Sequence, residues 1–502
     1  MGFKLIGLKQ EVIRIPTAAS PFPDLYEASI AELQAGLQVG LFTSVDLVKA
    51  CFARIEEVNL RGPALRAFIE TNPSALAQAA ELDRERRKTA PRSALHGIPL
   101  LLKDNIATLY SEGHGHCSSS YAILGSVVPR DAHVAAKLRA AGAILLGKAN
   151  LSQWANFHGA GVPSGFSARG GQASNPYVPL GSPSGSSSGS GIAAAIGLAA
   201  ATLGTETDGS IVLPSSANNV VGIKPSMGLT SRGGVSRHSG TNGAFGCGRR
   251  RSIIAGRDPR DNYTSAAPAQ IPDYTRALDT EALRGARIGV PRRYIAAQLD
   301  GVQVAAFNAS LATLRKQGAT IADVKVSAGL HKVPTGVKTL ADLIAFNIAH
   351  ADEELVPPYW ADQSVFITAD NTTIDQAFYD ALAADLDLGA TRGIDAALKA
   401  FELDALILPT NIASTPSAIA GHPNVTVPLG FCPPDTPLSP AEPTRKSGPN
   451  MPFGLAFLGT AFSEFKLISL AYVYEQATHT RLKVRAFPAA IPKTQLADVI
   501  GT

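Results

Sequence analysis

Apolar positions along this chain recur at two periods. Ile30, Leu33, Leu37 and Leu41 share one helical face, and Thr43-Ser-Val-Asp46 reads as a capping box opening a second helix that carries Leu47, Val48, Cys51, Phe52 and Ile55. Short apolar runs read as buried strands at 100–102, 143–146, 286–290, 405–408, 425–427 and 455–458. Residues 131–141 pattern as a helix stopped by Gly142 and followed at once by the strand at 143. The same unit recurs as a helix over 302–317, Gly318 and a strand over 319–326. A last helix is expected over 463–477. This alternation predicts an α/β fold: one large domain with a central mixed, twisted β-sheet covered by helices on both faces. The proline-rich stretch 432–450 reads as a surface loop, because a strand and a helix follow it directly, and no internal repeat is present.

The pattern is least ordinary between Gly181 and Lys224. Hydroxyls and glycines crowd into two short loops, 184–191 and 205–210, joined by an alanine-rich apolar run. Residues 192–203 read as a helix buried on all sides, its free N–H groups turned toward the first loop, where an anion or a developing oxyanion would be favoured. The second loop turns through Thr207-Asp208-Gly209-Ser210 into Ile211-Val212-Leu213, read as a short strand. A serine is a poor nucleophile without a base, and neither loop contains histidine. Upstream, the strand at 100–102 ends in Lys103. A lysine buried there would have its pKa lowered and could act as a base, although in isolation, without the serine loops, it reads rather as a solvated strand-end lysine. The first loop spells G-x-x-x-G-x-G, which fits neither the phosphate loop nor the dinucleotide fingerprint.

With Asn150-Leu-Ser-Gln-Trp-Ala-Asn156, Ser167-Ala-Arg-Gly-Gly-Gln172, Gly185-Ser-Ser-Ser-Gly-Ser190 and Gly204-Thr-Glu-Thr-Asp-Gly-Ser210 in order behind Lys103, the sequence resembles the amidase signature family, and within it the peptide amidases. The resemblance runs from about residue 25 to 485, leaving residues 1–24 as an N-terminal extension and 486–502 as a C-terminal tail. It implies a Ser-Ser-Lys triad with Ser210 as nucleophile, Ser186 as the bridging serine after a non-proline cis peptide bond, and Lys103 as ultimate base. Backbone N–H groups of Thr207, Asp208, Gly209 and Ser210 would form the oxyanion hole. The implied activity is hydrolysis of a peptide C-terminal amide or small amide through an acyl-enzyme, with no metal or organic cofactor. Two alternatives stay open: a catalytically impaired homologue, and the A-type subunit of an amidotransferase. Trp154 and Asn156 either line the substrate cleft or pack a neighbouring helix. Arg169 holds either a substrate carbonyl or a carboxylate, and Asp104 orients the Lys103 loop by bonding backbone amides.

Composition narrows the partners. Across 502 residues the formal charge is only +4 with both signs scattered, so no nucleic-acid or membrane partner is implied, and the partner is a small-molecule or peptide amide. A monomer or homodimer is expected. The four cysteines, Cys51, Cys117, Cys247 and Cys432, form no CxxC and read as reduced thiols of a cytoplasmic protein. His114, His116 and Cys117 could bind a metal, but without a nearby fourth ligand they read rather as a flexible glycine loop. Two stretches depart from the family pattern. Residues 236–251 are shorter by about a helix, with Asn242-Gly243 where the family has an Asp-Thr turn and Arg249-Arg250-Arg251 in place of a helix start. Residues 109–120 lack the usual Thr-Ala-Gly-Ser turn.

Overall fold

The computed structural model describes residues 21–109, 120–235, 241–245, 253–296, 298, 301–323, 340–372 and 375–501. Its strands are β1 (Phe68–Thr71), β2 (Pro99–Lys103), β3 (Ile144–Ala149), β4 (Phe166–Ser167), β5 (Gly171–Gln172), β6 (Ala201–Glu206), β7 (Gly222–Lys224), β8 (Thr241–Phe245), β9 (Arg287–Val290), β10 (Thr320–Asp323), β11 (Ala405–Pro409), β12 (Asn424–Phe431) and β13 (Pro452–Leu458). Eleven of them form one mixed sheet in the order β1-β3-β2-β6-β8-β7-β12-β13-β11-β9-β10, while β4 and β5 form a separate hairpin. The pairs β2/β3, β2/β6, β9/β11 and β9/β10 are parallel; the other pairs of the main sheet are antiparallel.

Successive residues of a strand face opposite sides of the sheet, and β2 shows what each side meets. Leu101 packs into a core with the helices Ala75–Lys88 and Ser188–Ala195. Leu100 and Leu102 pack into another with Ile30–Gln38 and His133–Ala140. Helices therefore cover both faces, as the pattern predicted. Both capping boxes at Ser29/Glu32 and Thr43/Asp46 are formed, and Gly142 and Gly318 stand at φ +83 and +96, the left-handed conformation that ends a helix.

Two expected elements differ. The helix predicted over 192–203 instead runs Ser188–Ala195; Gly197 (φ +66) ends it, and from Ala201 the chain pairs in parallel with β2 as β6. Tertiary pairing overrides the helical propensity of alanine here. The strand predicted at 211–213 opens a helix, Val212–Ala217. Its first N–H groups are taken by the Glu206 carboxylate, and Pro214 sits in the first turn, where it is tolerated. Asn242-Gly243 form no turn; they lie in β8, opposite Thr205 and Gly204 of β6. The GHGHC segment with its three candidate ligands, most of the N-terminal extension, and the three arginines 249–251 lie outside the described residues.

Residues 486–501, expected as a tail, pack on the domain. Arg54, fully buried, donates to the carbonyls of Pro492 (3.3 Å) and Thr494 (2.7 Å), and Leu496 is buried in the core. Among the described residues no helix is long and apolar enough to cross a membrane, and no cluster of three potential metal ligands occurs.

Candidate active site

Parallel neighbours β2 and β6 end side by side, so the residues at their C-terminal ends are brought together. Lys103 closes β2, and its Nζ lies 2.7 Å from Ser186 Oγ and donates to the Thr205 carbonyl of β6 at 3.2 Å. Ser186 Oγ lies 2.9 Å from Ser210 Oγ. The three side chains form one hydrogen-bonded row, and the Gly185–Ser186 peptide is cis. Lys103 and Ser186 are wholly buried, whereas Ser210 keeps 8% of its surface, so only its end of the row can be reached from outside. Burial holds the pKa of Lys103 down to about 7, against the opposing pull of the Glu206 carboxylate.

The two serine loops are fastened to each other and to β6. Ser187 N–H donates to the Ser210 carbonyl (3.1 Å), its Oγ donates to the Thr205 carbonyl (3.2 Å), and the Thr205 N–H donates to that same Oγ (3.3 Å). Gly189 lets the helix after Ser186 press on the sheet: a Cβ there would stand 2.1 Å from the Ala67 carbonyl. Asn105 Nδ2 donates to Thr205 Oγ1 at 3.0 Å, tying the chain after Lys103 to β6.

Glu206, which sequence reasoning passed over, organises the Ser210 loop. Its buried carboxylate accepts from the N–H groups of Gly209 (3.0 Å), Ile211 (2.6 Å) and Val212 (2.9 Å). Burial raises this carboxyl, while Lys224 and the N–H donors oppose the rise. Lys224 is itself buried, lowered by desolvation, and donates to the His422 carbonyl at 2.6 Å. The arrangement corrects the expected oxyanion hole in one member, because the Gly209 N–H is occupied by Glu206. The Asp208 and Ser210 N–H groups have no acceptor among the described residues. Asp208 Oδ2 accepts from Thr415 Oγ1 at 2.8 Å. An acidic residue within Thr205-Glu-Thr-Asp-Gly209, one step before four N–H groups, is the signal that could have revealed Glu206.

The flanking residues divide. Trp154, with φ +51, is buried in a cluster with Leu340, Leu343 and Phe366 and meets the Phe366 ring edge-on at 6.0 Å. Asn156 donates to Ser164 Oγ at 3.2 Å. Ser164 in turn stands beside Gly185, at 3.0 Å from where a Cβ would be, so this loop borders the Ser186 turn. Arg169 pairs with Glu70 of β1 at 2.8 Å, a carboxylate rather than a vacant position. Gln153 is bonded to the buried Glu354, which also accepts from Ser120 Oγ (2.9 Å) and Tyr121 N–H (2.7 Å).

Comparison with known proteins gives first the class: this is an amide-cleaving hydrolase. The chain belongs to the amidase family, whose model, described as Amidase, matches residues 46–468. The X-ray structure of native peptide amidase from Stenotrophomonas maltophilia is 39% identical and superposes with a TM-score of 0.79 over 93% of this chain and 99% of that one. A protein named as an amidase from Arthroderma benhamiae is 38% identical over 98% of this chain and 93% of its own. At greater distance, the A-type subunit of the glutamyl-tRNA(Gln) amidotransferase from Chloroflexus aggregans is 29% identical over 91% of this chain and 98% of its own.

Proposed function

We propose that this amidase cleaves a carboxamide, a peptide C-terminal amide or a small amide, through an acyl-enzyme on Ser210. The observation that carries the reading is the row Lys103–Ser186–Ser210, at 2.7 and 2.9 Å, with a buried lysine held down to about 7. A neutral Lys103 takes the Ser186 hydroxyl proton as Ser186 takes that of Ser210, and Ser210 Oγ attacks the carbonyl carbon. The oxyanion meets the Asp208 and Ser210 N–H groups, with Thr207 as the third candidate donor. The proton then returns through Ser186 to the leaving nitrogen, releasing ammonia or an amine. Water enters by the reverse route and frees the acid. No step requires a metal or organic cofactor. The likeness to a peptide amidase at 39% identity supports a peptide amide as substrate.

Ammonia release from a panel of peptide amides and small alkyl and aryl amides tests the reading. Ser210→Ala should abolish release while the fold is retained, and Ser186→Ala should lower it by about two to four orders of magnitude. Ammonia release by Ser210→Ala at the wild-type rate would refute the assignment.

A further inference from the structure

A cavity of about 200 Å³ lies away from the serine loops, where the turn before the first described helix meets the end of the helix Glu464–Thr478. Three elements that carry the candidate active site at one end form this cavity's wall at the other. β2 begins there at Pro99 and ends at Lys103; the helix Ser188–Ala195 starts beside Ser186 and presents Ala194; Ala199 and Ala200 precede β6, which ends at Glu206. Four strand steps of about 3.3 Å put Pro99 about 13 Å from Lys103, too far for one small ligand to touch both.

The polar edge of the cavity is unbalanced. Arg481 is fully engaged: Nε pairs with Glu27 at 3.0 Å, and its two terminal nitrogens donate to the carbonyls of Asn219 (2.8 Å) and Ala195 (3.0 Å). Glu27 and Arg481 thus offset one another. Glu475, also on the wall, makes no side-chain hydrogen bond or ion pair among the described residues. Burial raises its carboxyl above the ordinary range in spite of the nearby Arg481 charge. Much of the remaining wall is apolar, from Leu25, Leu33, Leu47 and Val220.

We propose that this cavity binds a small organic monocation, a primary amine with an aryl or alkyl body, its ammonium on Glu475 and its body against the apolar wall. An anion is disfavoured, since two carboxylates face one guanidinium whose nitrogens are already donating. A neutral alcohol brings no charge to favour the ionised form of Glu475, which an ammonium would. The site does not depend on the triad assignment, and activity is not its readout.

Calorimetric titration of the full chain with 2-phenylethylamine tests the proposal, with 2-phenylethanol as the neutral control. One amine should bind per chain, and the alcohol should bind at least about tenfold more weakly, as loss of a charge-assisted hydrogen bond demands. Glu475→Gln, at a partly exposed position, should weaken the amine at least about tenfold and leave the alcohol unchanged. Ala194→Phe, which fills the cavity from its wall, should abolish binding of both. Absence of amine binding to the wild-type chain would overturn the proposal. So would amine binding unchanged by Glu475→Gln, the result expected if the amine sat in the serine cleft instead.

Discussion

Replacing Lys103 by methionine should stabilise the protein at neutral pH while removing its activity. The lysine is carried by burial from its ordinary 10.5 to about 7. A depressed lysine costs stability fully below its folded pKa, and the cost fades as pH rises toward the unfolded value, because between the two the unfolded chain binds more protons. At about 1.36 kcal/mol per pKa unit, the cost is about 4 kcal/mol at pH 7 and about 1 kcal/mol at about pH 9.5. Methionine, of similar length and uncharged, removes that cost but forfeits the contacts of Nζ with Ser186 Oγ and the Thr205 carbonyl. At about 1 kcal/mol each these offset about 2 kcal/mol, and the Thr205 carbonyl keeps Ser187 Oγ as a donor. The variant should therefore be more stable than the wild type by about 2 kcal/mol at pH 7 and less stable by about 1 kcal/mol at about pH 9.5. Equilibrium urea denaturation of both proteins at the two pH values measures this. A stability difference that does not change with pH would refute the claim that Lys103 is held neutral by the fold.

The same lysine predicts that kcat/KM for amide hydrolysis rises with pH through a midpoint at about 7, since the base works only when neutral; a rate flat across that range would contradict it. Glu206→Gln leaves one acceptor oxygen for the three N–H groups and removes the largest of the three carboxylate charges acting on Lys224, so it should cost about 3–5 kcal/mol in chemical denaturation and lower kcat more than it raises KM. Arg169→Met should leave KM within about twofold of wild type, because its guanidinium is engaged by Glu70; a KM rise of tenfold or more, about 1.4 kcal/mol, would instead place Arg169 on the substrate. Ala244→Pro, in the middle of β8 between β6 and β7, removes a ladder donor and should cost about 3 kcal/mol or more by thermal unfolding; an unchanged midpoint would show that β8 does not contribute to the sheet.

The sheet was legible where a strand is an unbroken apolar run. Residues 100–102, 143–146, 405–408 and 455–458 are unbroken apolar runs, and all lie in strands at or near their expected bounds. Helices with side-chain caps were legible for the same reason: the Thr43/Asp46 pairing is local. What failed was decided at a distance. Ala201–Glu206 has no strand signal of its own and becomes a strand because β2 offers a parallel edge. Val212–Ala217 is a helix because a carboxylate six residues before Val212 takes its first N–H groups. Neither influence has a period that a window of sequence can display. In the candidate site, Lys103, Ser186 and Ser210 were found through residue type and motif, and the structure brings the three together. Glu206 was missed because a buried carboxylate looks like a surface one until its donors are known.

One strand pair explains why the reachable serine and the sealed lysine can coexist. β2 and β6 are adjacent and parallel, so Lys103 is delivered one residue short of the level of Thr205 and its Nζ bonds to the Thr205 carbonyl. The cost of desolvating the lysine is accepted there because the sheet supplies Thr205 as one partner and the loop before the helix Ser188–Ala195 supplies Ser186 as the other. β6 then continues into the Ser210 loop, and the helix after Ser186 leads back into the start of β6, so both serines hang from the strand that carries Thr205. Water reaching Lys103 would restore its ordinary pKa, and an exposed Ser186 would open that path. On the proposed reading the Ser186 hydroxyl would therefore have a physical purpose beyond proton transfer: it would let the base stay dry while the nucleophile meets the solvent.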